Sequence, residues 1–301
     1  MATNHIATAK DNTQNLIKCA QINLHHSRAA MASLTKYIAD NVDITCIQEP
    51  YTLQRRVIDA PTQYKTLTVG KDRSRAAIIV TNNRIDAMVI AQLSDADAVT
   101  AEITKGDLKI IIASMYLDRC NPLGPDLAKT EAILQHAKGL GVIISMDSNA
   151  RSTLWHDIIS NNRGKELVEI ITSSHQHIMN EESSNTTFCN RRGSSNIDLT
   201  LINNKLLRRV SGWEICNDES NSDHSIIKYT INPDNRQTYN AKTQEERCNR
   251  SGSYVWIPDC MNECGCVTKL SPTLRRSVPS GIGTPSCCAV VRQGVAILSR
   301  N

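Results

Sequence analysis

The stretch VIISMDSNA, residues 142–150, decides how this chain reads. A short run of β-branched and apolar residues is the pattern of a buried strand, and Asp147 sits directly on its end. A carboxylate at the tip of such a run is costly unless it meets a metal, a proton or a positive partner. The arrangement recurs. Glu49 ends ITCIQE, Asp198 lies at the start of IDLTLI, and Asp223-His224 precede SIIKYTI. Strand ends that carry this chemistry and converge on one site point to a metal-assisted phosphoester hydrolase.

Outward from that stretch, apolar runs and helical patterns alternate over residues 16–231. LIKCAQINL reads as a strand ending near Asn23. Ser27 reads as the cap of a helix in which Ala30, Leu34 and Ile38 recur at i+4. VDITCIQEP is a second strand, stopped by Pro50. RAAIIVTNN and IDAMVIAQL flank Asn82-Asn83 and predict a hairpin there, and Lys105-Gly106-Asp107 predicts another. Asp126 is expected to cap a helix running through His136, with Gly139 and Gly141 ending it. Gly164 to Ser173 reads as a helix with Leu167, Ile170 and Ile171 on one face. HIMN, TTF, IDLTLI, SGWEI and HSIIKYTI read as short strands. The sum is roughly ten strands and three or four helices. Adjacent hairpins argue against a doubly wound parallel sheet and for an α+β architecture, sheet packed on sheet with helices outside.

Composition sets the remaining limits. The hydrophobic share is 40%, with a single Phe, so the core must be mostly Ile, Leu, Val and Ala. No apolar run reaches the roughly 18 residues of a membrane span, and the polar N-terminus lacks a secretory signal. Eleven cysteines without such a signal argue against a disulfide framework and for a reducing compartment, nuclear or cytoplasmic. Residues 1–231 hold 25 Lys+Arg and 25 Asp+Glu, whereas 232–301 hold 9 and 5 and supply the whole net charge of +4. Any DNA contact must therefore come from a local basic face and a cation that offsets the acidic cluster. The expected organisation is a disordered segment 1–15, a catalytic domain 16–231 and an unpatterned tail 232–301. Cys248, Cys260, Cys264 and Cys266 in that tail lack the paired spacing of a zinc site, and Cys287-Cys288 has no histidine nearby.

Each candidate residue has a defined chemistry. A lone Glu49 at a strand end suits Mg²⁺, which wants few carboxylates. Asp147 can orient and deprotonate a water, and Asn149, two residues on in an extended chain, would face the same side and bind a phosphate oxygen. Asp223 and His224 are adjacent and so face opposite ways, which makes Asp198 the expected partner of His224. A charged imidazole there stabilises developing phosphoryl charge. Tyr116 can offer its hydroxyl to a phosphate. Read singly, Tyr116 is better explained as a core-edge tyrosine and Asn23 as a strand-ending turn residue, and His25-His26, which could be ligands, better as decoration of the loop after the first strand. No G-x-S-x-G, Walker loop or H-E-x-x-H is present.

In order, QIN, IQEP, MY, MDSNA, SSNIDLT and NSDH resemble the endonuclease/exonuclease/phosphatase superfamily, with its DNase I-like fold. QINLHHSRAA, DSNARSTLWH, SSNIDLTLI and SDHSIIKY go further. They look like the apurinic endonuclease-like domain of insect non-LTR retrotransposons. The resemblance implies a four-layer α/β/β/α sandwich of two mainly antiparallel sheets. It implies that Asn23 and Glu49 serve the metal and phosphate sites, with Asp223 close to the metal, and that Tyr116 contacts phosphate. It makes Asp147 the water-orienting acid, Asn149 its transition-state partner, Asp198 the support of the histidine and His224 the group on the scissile phosphate. Met146 stands where the family commonly has Gly, and His25 where repair-type relatives carry a second acid, which weakens the case for a second metal and for abasic-site activity. Arg151 stands where relatives often have His, either to contact DNA or to pack against Trp155.

The resemblance implies Mg²⁺, with Mn²⁺ as a substitute, and nicking of duplex DNA to leave a 3′-hydroxyl primer for target-primed reverse transcription. Trp155 and the basic loop with Arg191 and Arg192 are expected to line the DNA groove. The parent polyprotein would carry a reverse transcriptase module, so the chain reads as a truncated or host-captured copy. Two alternatives stand beside this: an inactive DNA-binding remnant, and a phosphatase or exonuclease of the same superfamily.

Overall fold

The computed structural model describes residues 15–54, 56–57, 60–69 and 73–234, and the backbone of 291–292 and 295–296. The expected disordered lead-in (but for Asn15) and most of the tail, including its cysteines, lie outside the described residues. The chain divides into two compact units, 1–238 and 239–301. In the first, the strands are β1 (Ile17–Asn23), β2 (Ile44–Gln48), β3 (Thr52–Leu53), β4 (Arg56–Val57), β5 (Lys65–Leu67), β6 (Ala76–Val80), β7 (Asp86–Val89), β8 (Ala98–Lys105), β9 (Leu108–Tyr116), β10 (Gly141–Asp147), β11 (Gln176–Ile178), β12 (Phe188–Asn190), β13 (Gly193–Ser195), β14 (Asp198–Asn203), β15 (Val210–Ile215) and β16 (Ile227–Ile231). The α-helices are α1 (Arg28–Asn41), α2 (Gly124–His136) and α3 (Asn162–Ser173). The described part of the second unit is a short antiparallel pair, Val291–Arg292 with Val295–Ala296.

Two six-stranded sheets form the body, ordered β15-β16-β1-β2-β6-β5 and β11-β14-β10-β9-β8-β7. Pairing is antiparallel except at one contact in each sheet, β1 with β2 and β9 with β10. Period-2 alternation sorts the side chains into layers. Cys19, Cys46, Ile78, Ile110, Ile112 and Ile143 pack between the sheets. Ala20, Ile22 and Ile47 face α1, which buries Ala30, Met31, Leu34 and Ile38. Ile111, Ala113, Val142 and Ile144 face outward with Ile133 of α2 and Leu167 and Ile171 of α3. The result is the expected α+β sandwich of two sheets with helices outside. No helix among the described residues is long and apolar enough to cross a membrane.

The two parallel contacts decide where chemistry can collect. Parallel neighbours end at the same edge, so Asn23 pairs with Gln48 just before Glu49, and Tyr116 pairs with Asp147. The antiparallel partner β14 begins there, with Asp198 opposite Asp147. Just beneath this edge the sheets are joined by buried amides rather than hydrocarbon. Gln21 donates to Met146 O at 3.1 Å and accepts from Thr200 Oγ1 at 3.0 Å. Gln48 donates to Ser114 Oγ at 2.9 Å and Ser145 O at 3.2 Å.

Local readings fared unequally. Ser27 caps α1 by accepting from Ala30 N at 3.2 Å, and β8 and β9 form the hairpin around Gly106, whose φ of +57° suits glycine. The Asn82-Asn83 hairpin is corrected. β6 belongs to the first sheet and β7 to the second, so this turn carries the chain between sheets. Asn82 does make a turn, accepting from Ile85 N at 3.1 Å, but its side chain donates to Asp43 at 2.8 Å. Asp126 is not a cap either. α2 starts earlier, at Gly124-Pro125, because proline suits a first helical turn whose N–H groups lack partners, and Asp126 lies inside that turn.

Replacing Gln21 by Leu is expected to lower stability by about 1–3 kcal/mol, since Thr200 and Met146 lose a buried partner. A urea midpoint that falls with unchanged slope is the check. A Cβ on Gly164 would lie 2.0 Å from the backbone oxygen of Arg151. Gly164→Ala should therefore destabilise by more than about 1 kcal/mol in the same assay despite alanine's helix preference.

Candidate active site

Asn23, at the end of β1, is the link between the sheets at their shared edge. Its Nδ2 donates to Asp147 Oδ2 at 2.7 Å and to Glu49 Oε2 at 3.3 Å. One amide nitrogen thus spans a carboxylate from each sheet, and its Oδ1 accepts from His25 N at 2.7 Å. Asp147 is also held by the N–H of Asn149, which reaches Oδ1 at 3.1 Å. Asn149 is left-handed at φ +47° and sends its Nδ2 to Leu117 O at 3.1 Å. The extended geometry expected of Asp147 to Asn149 is therefore replaced by a tight turn, which the short polar side chains of Asp and Asn support.

On the other side of Asp147 stands the pair from β14 and the approach to β16. His224 Nδ1 lies 2.9 Å from Asp198 Oδ2, and its Nε2 is 4.0 Å from Asp147 Oδ2. Asp147, Asp198 and His224 are 2%, 1% and 5% exposed, so these charges interact without bulk water between them. The Phe188 ring meets the imidazole edge-on with centroids 4.9 Å apart. Tyr116 reaches the same edge half-buried, its N–H donating to Asp97 O at 2.8 Å. The Arg75 guanidinium, paired with Asp97 and Asp118, sits 5.1 Å from the Tyr116 ring centroid.

Burial raises the Asp147 carboxyl, Asp198 raises it further, and His224, Asn23 and the Asn149 N–H only partly offset this, leaving it at about 7. Burial works to lower the His224 imidazole, but the charge and hydrogen bond of Asp198, then Asp147 and Glu49, outweigh it and lift it to about 9. Burial also works to raise Glu49, yet His26, Asn23 and His25 hold it below its ordinary value. The arrangement is a basic carboxylate beside a charged imidazole, next to an ionised glutamate.

The donor set suits a hard divalent cation. Glu49 and Asp147 present carboxylate oxygens, and Oδ1 of Asp198 is buried without a hydrogen-bond partner among the described residues. Asp147, Asp198 and His224 form the tightest group of possible ligands. There, however, His224 has already committed Nδ1 to Asp198, whereas Glu49 is partly open, so Glu49 is the better anchor.

Asn23, Glu49, Asp147, Asp198 and His224 thus form one connected group, with Tyr116 and Asn149 on its rim. Asp223 lies at the margin, its carboxylate 43% exposed and 3.9 Å from His25 Nδ1. Arg191 and Arg192 are exposed at the tip of the β12–β13 hairpin, whose Cys189 N donates to Asp223 O at 2.8 Å. Trp155 is corrected. It is fully buried, with Nε1 donating to Asn196 O at 2.9 Å, and so has no face for DNA. Arg151 is held within the protein by buried Asp157, with Nε and Nη2 at 2.9 and 2.8 Å from Oδ1. Asn196 holds both neighbouring loops. It donates from Nδ2 to His156 O at 2.8 Å and accepts from Thr187 N on Oδ1 at 3.0 Å. Sequence reasoning passed over Arg75 and Phe188, which carried no motif, and set His26 aside as decoration.

Both shifted groups give pH predictions for metal-free protein. The raised Asp147 carboxyl is a penalty absent below about pH 4 and complete above about pH 7. Asp147→Asn should therefore raise unfolding free energy at pH 8 by on the order of 2 kcal/mol, and the gain should vanish by pH 4. The raised His224 imidazole contributes stability that is full below about pH 6.5 and lost through about 9. Wild-type urea midpoints measured across that range should fall.

A family model described as endonuclease-reverse transcriptase matches residues 110–228. The Pol polyprotein of the type-1 retrotransposable element R1 of Bradysia coprophila is 27% identical over 193 residues, 60% of this chain and 19% of that protein. A putative 115 kDa protein of element R1DM of Drosophila melanogaster is 27% identical over 229 residues, 71% of this chain and 22% of that protein. The chain thus spans about one fifth of the length of these curated relatives. The solved endonuclease domain of TRAS1, a telomere-specific non-LTR retrotransposon, superposes with a TM-score of 0.64 at 26% identity, covering 74% of this chain and all of that one. An AP endonuclease from Leishmania major shares the fold with a TM-score of 0.60 at 10% identity, covering 72% of this chain and 88% of that one. The chain is therefore similar to the endonuclease domains of non-LTR retrotransposons, and it shares its fold with that of TRAS1 and with an AP endonuclease.

Proposed function

We propose that residues 16–231 are a divalent-metal-dependent endonuclease that nicks one strand of duplex DNA and leaves a 3′-hydroxyl. In a parent element that end would prime reverse transcription by a separate module of the same polyprotein. The observation that carries this reading is the single Asn23 amide bridging Glu49 and Asp147, with the Asp198–His224 pair on the far side of Asp147.

In this reading Asp147 orients the attacking water and accepts its proton, a role for which a carboxyl raised to about 7 is suited near neutral pH. Asp198 fixes the imidazole, and His224, charged up to about pH 9, directs Nε2 at a phosphoryl oxygen. Tyr116 and Asn149 contribute further hydrogen bonds to the phosphate. Glu49, with Asp223 nearby, would hold Mg²⁺ or Mn²⁺, which supplies positive charge to the phosphate and the departing oxygen. Arg191 and Arg192 favour DNA over a small phosphoester. They stand exposed at the tip of a hairpin whose Phe188 packs on His224, so the backbone of a long substrate would meet them.

The purified chain should convert supercoiled plasmid to open circles with Mg²⁺ or Mn²⁺ and not with EDTA, and a polymerase should extend the nick directly. Asp147→Asn and His224→Ala should each lower the rate roughly 10²- to 10⁴-fold. Near wild-type nicking by either variant, or a 3′-phosphate end, would reject the assignment. Folded wild-type protein that binds DNA but never cuts would instead indicate a binding remnant. Hydrolysis of a small phosphoester that duplex DNA does not inhibit would indicate a phosphatase. Replacing Arg191 and Arg192 by Ala should reduce the salt dependence of DNA binding by about one unit of slope each.

A further inference from the structure

We propose that His26 is a positioning residue for Glu49, fixing its carboxylate so that it meets a divalent cation in one orientation. This rests on the metal-dependent reading above. Glu49 has two oxygens, and each is held by a different residue. Asn23 takes Oε2 at 3.3 Å, and His26 Nε2 lies 3.3 Å from Oε1. The imidazole is itself pinned, with Nδ1 3.0 Å from Pro50 O. Both ring nitrogens therefore face acceptor atoms, and turning the ring over would set carbon atoms against both. The main chains are tied as well, His26 N donating to Glu49 O at 2.8 Å.

Backbone geometry makes the contact specific. His26 and Glu49 are both left-handed, at φ +53° and +45°, a region that non-glycine residues rarely occupy. Such strain persists only where the surroundings over-determine it, and it clusters at functional sites. The two side chains are 18% and 15% exposed, so the pair is sheltered rather than a loose surface contact. A glutamate side chain has three rotatable bonds, and left free it would sample many orientations before meeting a cation. With one hydrogen-bonding group on each oxygen, the orientation is set before the cation arrives, and the remaining lone pairs stay available to it. Groups that orient a metal's ligand in this way typically change metal affinity by 10- to 100-fold when removed.

The test is Mn²⁺ binding by the full chain, followed by the electron paramagnetic resonance of free Mn²⁺ and so independent of activity. His26→Ala should weaken Mn²⁺ binding by roughly 10-fold or more. His26→Gln, whose amide can still donate to Glu49, should recover part of the loss. Nicking by His26→Ala should approach the wild-type rate at saturating Mn²⁺, an effect that general destabilisation would not give. Melting in EDTA shows which variants are folded, and if His26→Ala is not, the His26→Gln comparison stands alone. Wild-type affinity in a folded His26→Ala, or in His26→Gln where that comparison stands alone, overturns the proposal. So does an imidazole nitrogen coupling to Mn²⁺ that His26→Gln abolishes, since His26 would then be a ligand. A wild-type chain that binds no Mn²⁺ would instead overturn the metal-dependent function itself.

Discussion

The site depends on two sheets meeting through side-chain amides at one edge. A sandwich held only by Ile, Val and Leu would leave the relative height of its sheets to packing, which tolerates small slips. Gln21 and Gln48 remove that freedom, because each satisfies specific groups on β10, β14 or β9. Asn23 extends the same device one pleat further and turns it to use, since the groups it joins are the carboxylates of Glu49 and Asp147. Burying amides is costly unless their bonds are met, so a seam of this kind also selects one register over others.

The same edge gathers charge that the fold does not need. Asp147 and Asp198 are opposed across an antiparallel pair and nearly inaccessible to solvent. Burial, and after it the charge of Asp198, hold the Asp147 carboxyl well above its ordinary value, and His224 offsets them only in part. Stability is lost at this edge above neutral pH, and a carboxyl raised in this way fits the base role proposed for Asp147.

Much of this was legible in the chain, and the rest was hidden for identifiable reasons. The strands bearing Glu49, Asp147 and Asp198 could be read because apolar runs ended in isolated acids. The partner of His224 could be read because adjacent strand residues face apart, which removed Asp223 and left Asp198. The turn at Asn82 was visible but its consequence was not, since turn chemistry is blind to which sheet the next strand joins. Trp155 read as a surface aromatic because its residue type says nothing of the Asn196 carbonyl that satisfies its indole in the core. His26 was set aside because a left-handed backbone, which aims its ring at Glu49, leaves no mark in residue order.

Asn196 has an architectural consequence. Its side chain fastens the base of the arginine-tipped hairpin at Thr187 and the segment at His156, while its neighbour Ile197 leads straight into Asp198. The clasp holds the hairpin at its base, so the turn between Asn190 and Gly193 can vary without disturbing it. If that turn meets DNA as proposed, its target preference could be rewritten through a few tip residues while the strands beneath keep their places.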